Sequence, residues 1–295
     1  IDNVNEIVNW SLKNNINEFK KNFSKINPLI CFSVKSNNNL NILKIIKNFG
    51  LGADVVSKGE LLRALKAGIK PQKIVFSGVG KTPDEISFAI QKKILLINAE
   101  SENELKIIQK IAYKKKKKID VGLRLNPNID AKTLKKISTG RNEDKFGISD
   151  KSFVKLLKKF YNSKNINIKC LSVHIGSQIL DYRPYSKMVS VIDNIIKKTK
   201  YKFDYIDLGG GMGIDYHSNS KKLDYKKYSL VIKNFLKKHK VKIIFEPGRS
   251  IIGNTGSLIS KVIYVKSSSK KNFVILDSAM NDFMRLMKSF IAESN

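Results

Sequence analysis

The sequence predicts an α/β chain folded as a closed (β/α)8 barrel, followed by the start of a β-rich segment. Three observations lead there. Short apolar runs alternate with stretches of helical periodicity from residue 29 to residue 245. Several of those runs end in polar or glycine-rich sequence, as the C-terminal face of a parallel barrel requires. After Ser257 the alternation stops and two strand-like runs follow one another without a helix. A doubly wound open sheet is the other arrangement that such alternation permits.

The elements follow in order. Residues 1–27 predict an amphipathic helix over Val8–Phe23, then a turn at Asn27-Pro28. The strands are expected at Leu29–Val34, Ala53–Ser57, Ile74–Ser77, Ile94–Ile97, Val121–Leu125, Ile168–Ile175, Tyr205–Leu208 and Val241–Phe245. Helical patterns lie between them at Leu40–Phe49, Glu60–Ala67, Asp84–Lys92, Glu102–Tyr113, Ser152–Tyr161, Tyr185–Lys198 and Tyr225–Lys238. Eight strands joined through seven helices, all compatible with right-handed crossovers, give a parallel sheet able to close on itself. Leu258–Val265 and Phe273–Leu276, joined by the polar turn Ser267–Asn272, open a second domain. The expected division is a barrel over 1–256 and the beginning of a β domain over 257–295, which the sequence does not complete.

Composition excludes some functions. The net charge of +31 would suit a polyanion partner, but lysine supplies 50 of the 56 basic residues and is abundant together with Asn and Ile, all encoded by AT-rich codons. Apart from the run Lys114–Lys118 the lysines are scattered over helix faces, without the interleaved aromatics of a single-strand binder. No nucleic-acid partner is expected. No apolar stretch reaches the roughly 18 residues of a spanning helix, and no signal peptide opens the chain, which begins with Ile as a fragment would. Cys31 and Cys170 lie in apolar runs and read as reduced, buried thiols, so a cytoplasmic setting is expected.

The chemistry concentrates at strand ends. Lys35 closes the first run; desolvation in a pocket mouth should lower its pKa and free the amine for a Schiff base with a carbonyl cofactor. His174, one of three histidines, ends the sixth run, where it could cover a flat ring, with Ser177 able to bond a phosphate. The seventh run ends in Gly209-Gly210-Gly211, whose amides could cradle that phosphate. The eighth ends in Glu246-Pro247-Gly248-Arg249, where the carboxylate could hold a pyridine nitrogen protonated. Arginine is rare here, so Arg124, Arg249 and Arg285 mark places that need a flat, permanently charged fork, as a substrate or cofactor with several anionic groups would, and Arg124 is expected to bind the cofactor; Arg63 reads as surface packing.

Together Cys31–Asn37, Gly52–Ser57, Phe76–Gly78, Ile137–Gly140 with Lys145–Gly147, His174–Gln178, Leu208–Gly211, Glu246–Arg249 and Met280–Asp282 resemble the diaminopimelate decarboxylases. Those are fold-type III pyridoxal-phosphate enzymes of lysine biosynthesis, with an alanine racemase-type barrel. Lys-Ser-Asn stands here where Lys-Ala-Asn is commoner. The resemblance implies that Lys35 carries pyridoxal 5′-phosphate, with Asp54 beside its amine. His174 would cover the ring, and Glu246 would face its nitrogen. Ser177, Gly209, Gly210, Gly211 and the Pro247-Gly248-Arg249 segment would hold the phosphate, while Arg249 and Arg285 would take substrate carboxylates. It also implies decarboxylation of meso-2,6-diaminopimelate to L-lysine, and a homodimer in the full-length form. Decarboxylation of a basic amino acid or of carboxynorspermidine on the same barrel is the alternative, and a non-enzymatic pyridoxal-phosphate carrier is another. The catalytic Cys and the tyrosines that the family's C-terminal domain supplies are not in this sequence. After Arg285 the tail Leu286–Asn295 departs from the family; a shift of reading frame there would restore a family-like continuation, which resequencing tests.

Overall fold

Eight parallel strands close into a barrel, which removes the open-sheet alternative. The computed structural model describes residues 2–131, 139–141, 143–216, 222–256 and 258–279. The strands are β1 (Leu29–Ser33), β2 (Gly52–Val55), β3 (Ile74–Phe76), β4 (Leu96–Ala99), β5 (Ile119–Arg124), β6 (Ile166–Ser172), β7 (Tyr205–Asp207) and β8 (Lys242–Phe245). Neighbours pair in sequence order, and β8 returns to β1 through Leu29 opposite Ile244 and Ile30 opposite Phe245.

Between the strands run α2 (Leu40–Asn48), α3 (Lys58–Lys66), α4 (Pro83–Lys92), α5 (Glu102–Lys114), α6 (Asp150–Phe160), α7 (Tyr182–Thr199) and α8 (Tyr225–Leu236). Their starts are fixed locally. Ser57, Thr82 and Ser101 each accept the amide of the residue three positions on, and Thr82 with Glu85 forms a full capping box ahead of Pro83. The helix α1 (Asp2–Phe23) begins ahead of its predicted start. It sets Phe19 and Phe23 against Phe245 of β8 and Tyr225 of α8. The short α9 (Arg249–Ile252) was not predicted, because a single turn leaves no periodicity to read.

The sixth strand stops at Ser172 instead of running to Ile175, so His174 sits on the loop beyond it. The loops leaving β6 and β7 bond each other there: the Ile179 amide donates to Gly211 O at 2.9 Å and the Gly213 amide to Ile179 O at 3.0 Å.

Inside the barrel the side chains form two layers, because alternate residues of a strand point the same way. The lower layer is apolar: Cys31, Val75, Leu96, Cys170 and Ile244 form one buried cluster. Two residues further along the respective strands come Ser33, Ser77, Asn98, Ser172 and Glu246, all buried. Asp54 and Asp207 join this upper, polar layer. The outward-facing residues, such as Phe32, Val55, Phe76, Ile97 and Leu171, pack beneath the helices in the main core.

The chain divides into two compact units, residues 1–255 and 256–295. The second contains β9 (Val262–Ser267) and β10 (Asn272–Leu276), an antiparallel hairpin whose register shifts between Ile275 and Leu276. Asp277 ties its base, accepting from Ser260 Oγ at 2.9 Å and from the Lys261 amide at 2.8 Å. Strand β9 starts later than predicted, since Leu258–Lys261 make no ladder. Among the described residues no helix is long and apolar enough to cross a membrane.

Candidate active site

The upper layer opens at the C-terminal ends of the strands, and Lys35 stands at its rim. The backbone after β1 turns through one 3-10 turn, Val34–Ser36, which carries Lys35 out of the strand with its side chain 54% exposed. Its Nζ lies 3.5 Å from Asp54 Oδ2, which also accepts Ser33 Oγ at 2.8 Å. The predicted lowering of the Lys35 pKa is reversed. The Asp54 carboxylate raises it, outweighing burial, and Glu246 adds to the rise. Asp54 Oδ1 is buried with no hydrogen-bond partner, so this corner holds an acceptor that a bound molecule can use.

Glu246 and Asp207 meet across the layer. Glu246 accepts from Ser77 Oγ at 3.1 Å, and its pKa is pushed well up by burial and by the Asp207 and Asp54 charges. Asp207 accepts from the Gly209 amide at 2.9 Å, Asn98 Nδ2 at 3.0 Å and Ser172 Oγ at 3.1 Å.

His174 and the glycines form one unit. The Gly210 amide donates to His174 Nδ1 at 3.2 Å, which leaves the imidazole proton on Nε2. Burial, with Arg124 and Lys35 nearby, holds the His174 pKa well below its ordinary value, so the ring is neutral. Of the three amides expected to form a cradle, that of Gly209 donates to Asp207 and that of Gly210 to His174, while the Gly211 amide lacks an acceptor among the described residues. Glycine is required here for close approach. A Cβ on Gly210 would lie 2.1 Å from Glu246 O, while Tyr185 OH of α7 holds the Gly210 carbonyl at 3.1 Å. Substituting Gly210→Ala is expected to cost about 1–3 kcal/mol in a urea titration, because backbone must move to admit the methyl. A loss under about 0.5 kcal/mol would show the loop to be slack. Ser177 sits half-buried on the turn that bonds this loop.

Arg124 reaches the mouth already paired. Its Nη1 lies 2.8 Å from Glu100 Oε1, and its guanidinium stacks 4.9 Å from the Phe146 ring centroid. Glu100 also accepts the amides of Gly78 and Gly147, both at 3.1 Å. Beside it the Lys81 ammonium, buried, pairs with Glu104 at 2.7 Å, and Glu104 accepts the Glu100 amide at 2.8 Å. The loop carrying Thr139, Gly140 and Lys145–Gly147 is thus tied over the mouth; Thr139 Oγ1 also donates to His174 O at 2.9 Å. Arg124 so belongs to a neutralised pair rather than standing as a free anion receptor.

Arg249 opens α9, bonds Tyr216 OH, and has a buried Nε with no partner. Pro247 O accepts the Ser33 amide at 3.0 Å, and Gly248 packs against Ser33 and Ser36. Arg63 lies exposed on α3, and its Nη1 donates to Asn38 O at 3.4 Å. Arg285, the Met280–Asp282 motif, Ile137, Ser138 and the tail after Arg285 lie outside the described residues. The sequence reading missed Ser33, Ser77, Asn98, Glu100, Ser172 and Asp207. For Ser33, Asn98 and Ser172 the signal was strand parity: each follows an apolar interior residue by two positions.

Known proteins with similar sequence and structure fit this arrangement. The family model described as pyridoxal-dependent decarboxylase, pyridoxal binding domain, matches residues 10–253. The diaminopimelate decarboxylase of Aquifex aeolicus is 40% identical over 278 residues, 93% of this chain and 66% of the relative. That of Helicobacter pylori (strain J99) is 44% identical over 272 residues, 90% of this chain and 66% of the relative. The crystal structure of diaminopimelate decarboxylase from Helicobacter pylori complexed with L-lysine superposes with a TM-score of 0.88 at 40% identity, covering 94% of this chain and 70% of that one. The chain thus spans 66% of the length of the two curated relatives.

Proposed function

Because the chain belongs to the pyridoxal-dependent decarboxylases, we propose that it decarboxylates meso-2,6-diaminopimelate to L-lysine and carbon dioxide with pyridoxal 5′-phosphate. The observation that carries this reading is the convergence of Lys35, Asp54, His174 and Glu246 from four strand ends, with Asp54 3.5 Å from the Lys35 amine, His174 fixed by the Gly210 amide and Glu246 buried in the polar layer. The donor set fits the cofactor: an accessible amine, a neutral imidazole, a buried acid and a glycine loop. Bound there, pyridoxal 5′-phosphate supplies the electron sink for the pair left at the α-carbon when carbon dioxide departs.

The chain's own residues have separate tasks. Lys35 is the attachment amine, and Asp54 holds it as an ammonium until a partner takes its proton. His174 offers a flat neutral face, fixed through Nδ1 by Gly210. Glu246 lies in the polar layer where an acid can exchange a proton with a ring nitrogen. Ser177, the Gly211 amide and the Pro247–Arg249 segment are assigned to the phosphate, and Arg249 and Arg285 to substrate carboxylates. The Glu100–Arg124 pair holds the loop at Phe146-Gly147, through the Gly147 amide and the Phe146 ring.

The homodimer and the cytoplasmic setting are parts of the same reading, and so is a C-terminal domain beginning at residue 257, for which the relatives' greater length is the support. Two assays test it. Borohydride should trap the cofactor on the peptide carrying Lys35, with loss of the yellow absorbance. Carbon dioxide should be released from meso-diaminopimelate in preference to ornithine, lysine, arginine or carboxynorspermidine by a form of the protein completed to the relatives' length. Preference for any of the latter would overturn the substrate assignment, and a label on another lysine would overturn the site.

A further inference from the structure

Asp207 and Glu246 are two buried carboxyl groups joined by one chain of side chains: Asn98 Nδ2 donates to Asp207 Oδ2 at 3.0 Å and to Ser77 Oγ at 3.1 Å, and Ser77 Oγ donates to Glu246 Oε1 at 3.1 Å. Two ionised carboxylates so placed repel and neither can donate to the other, so a proton shared between them is favoured. Its resting place follows from the donors. Asp207 receives three, from the Gly209 amide, Asn98 Nδ2 and Ser172 Oγ, whereas Glu246 receives Ser77 Oγ alone. Donors favour the ionised form, so Asp207 is the carboxylate and Glu246 the acid. Asn98 is held in this orientation at a cost: its Nδ2 faces Asp207 and its Oδ1 is buried without a partner. Gly122 makes room for it, since a Cβ there would stand 1.9 Å from that oxygen. The remaining titratable groups facing the pair are Asp54 from β2, Lys35 beyond β1, Tyr228 of α8, and the thiols Cys31 and Cys170, the last three kept neutral by burial. A second ionised carboxyl would leave three buried carboxylates facing one ammonium, which is what the shared proton avoids.

We propose that the cofactor-free chain stores a proton on Glu246, held there by Asp207, and gives it to the ring nitrogen of an arriving unprotonated pyridine. The Glu246 O–H bond breaks, its electron pair stays on the carboxylate, and an N–H bond forms on the ring; nothing is oxidised or reduced. Asp207 is a positioning residue, acting through Glu246. The inference rests on the reading of the site as a pyridoxal-phosphate site, and it adds that the ring need not draw its proton from solvent.

Pyridoxine 5′-phosphate is a suitable probe, because it has the ring and phosphate but no aldehyde for Lys35. Its binding is followed by titration calorimetry in two buffers of different ionisation enthalpy, which counts protons exchanged per molecule bound. In Asp207→Asn, Glu246 loses the neighbouring charge and gains an amide donor, so it ionises. The variant should then take up about one more proton per analogue than the parent chain. Equal counts would overturn the proposal. Infrared difference spectra of the parent chain give a second reading that needs no variant. The carbonyl stretch of a protonated carboxylic acid should be present without the analogue and vanish when it binds; absence of that band at the start would equally overturn it. Failure of the analogue to bind the parent chain would instead remove the cofactor reading itself.

Discussion

Replacing Lys35 by alanine should abolish decarboxylation, lowering turnover by at least about a thousandfold, roughly 4 kcal/mol of barrier. Borohydride should no longer fix the cofactor to the chain. The fold should persist with a modest loss of about 1–3 kcal/mol: the Lys35 side chain is 54% exposed, but Asp54, 3.5 Å away, is buried and keeps Ser33 Oγ as donor once the ammonium is gone. A cooperative melt at a slightly lower temperature, with labelling lost outright, separates a chemical role from a structural one. Retained turnover, or a label moved to another lysine, would count against the site. Asp54→Asn refines the test. Asp54 is the largest cause of the raised Lys35 pKa, so without it the amine deprotonates at lower pH. Attachment of the cofactor should then become fast at a lower pH than in the parent chain, read from the growth of yellow absorbance after mixing.

Glu100→Ala should be the most damaging single change to stability, about 3–5 kcal/mol by urea unfolding. It strands the guanidinium of Arg124, whose side chain is 9% exposed, and leaves the Gly78 and Gly147 amides without their acceptor. Turnover should fall as well, since the loop over the mouth loses its tie. Glu100→Gln keeps an acceptor oxygen and should lose less. A cost below about 1 kcal/mol for the alanine variant would mean that water replaces the carboxylate, and that the pair does not organise the mouth.

These two residues differ in how visible they were beforehand. Lys35 follows an apolar run and stands with Asn37 in a motif, so its importance was legible from residue type and position. Glu100 follows Ala99 as an ordinary acid ahead of a helix cap, and nothing local distinguishes it. Its role comes from three loops separated by many residues in the chain, which only closure of the barrel brings together. The strands were legible because burial on both faces makes them continuous apolar runs. Their ends were less so: β6 stops at Ser172 because its continuation bonds to the loop after β7, a tertiary effect. The glycines were recognised as a phosphate cradle, but not what else they do: the Gly209 and Gly210 amides serve Asp207 and His174, and space beside Glu246 excludes a side chain on Gly210. The amine at Lys35 was expected to be depressed by burial, and Asp54, identified as its neighbour, reverses the sign.

The apolar floor of the barrel turns its two cysteines into a clock. Cys31 and Cys170 are both completely buried, on strands β1 and β6. A thiol reagent can reach them only after the staves part, so the rate of modification under native conditions measures how often the cylinder opens. Because both sit in the same floor, they should react together in one cooperative event. Filling the mouth with cofactor should slow both by the same factor, giving a readout of occupancy that needs neither colour nor turnover.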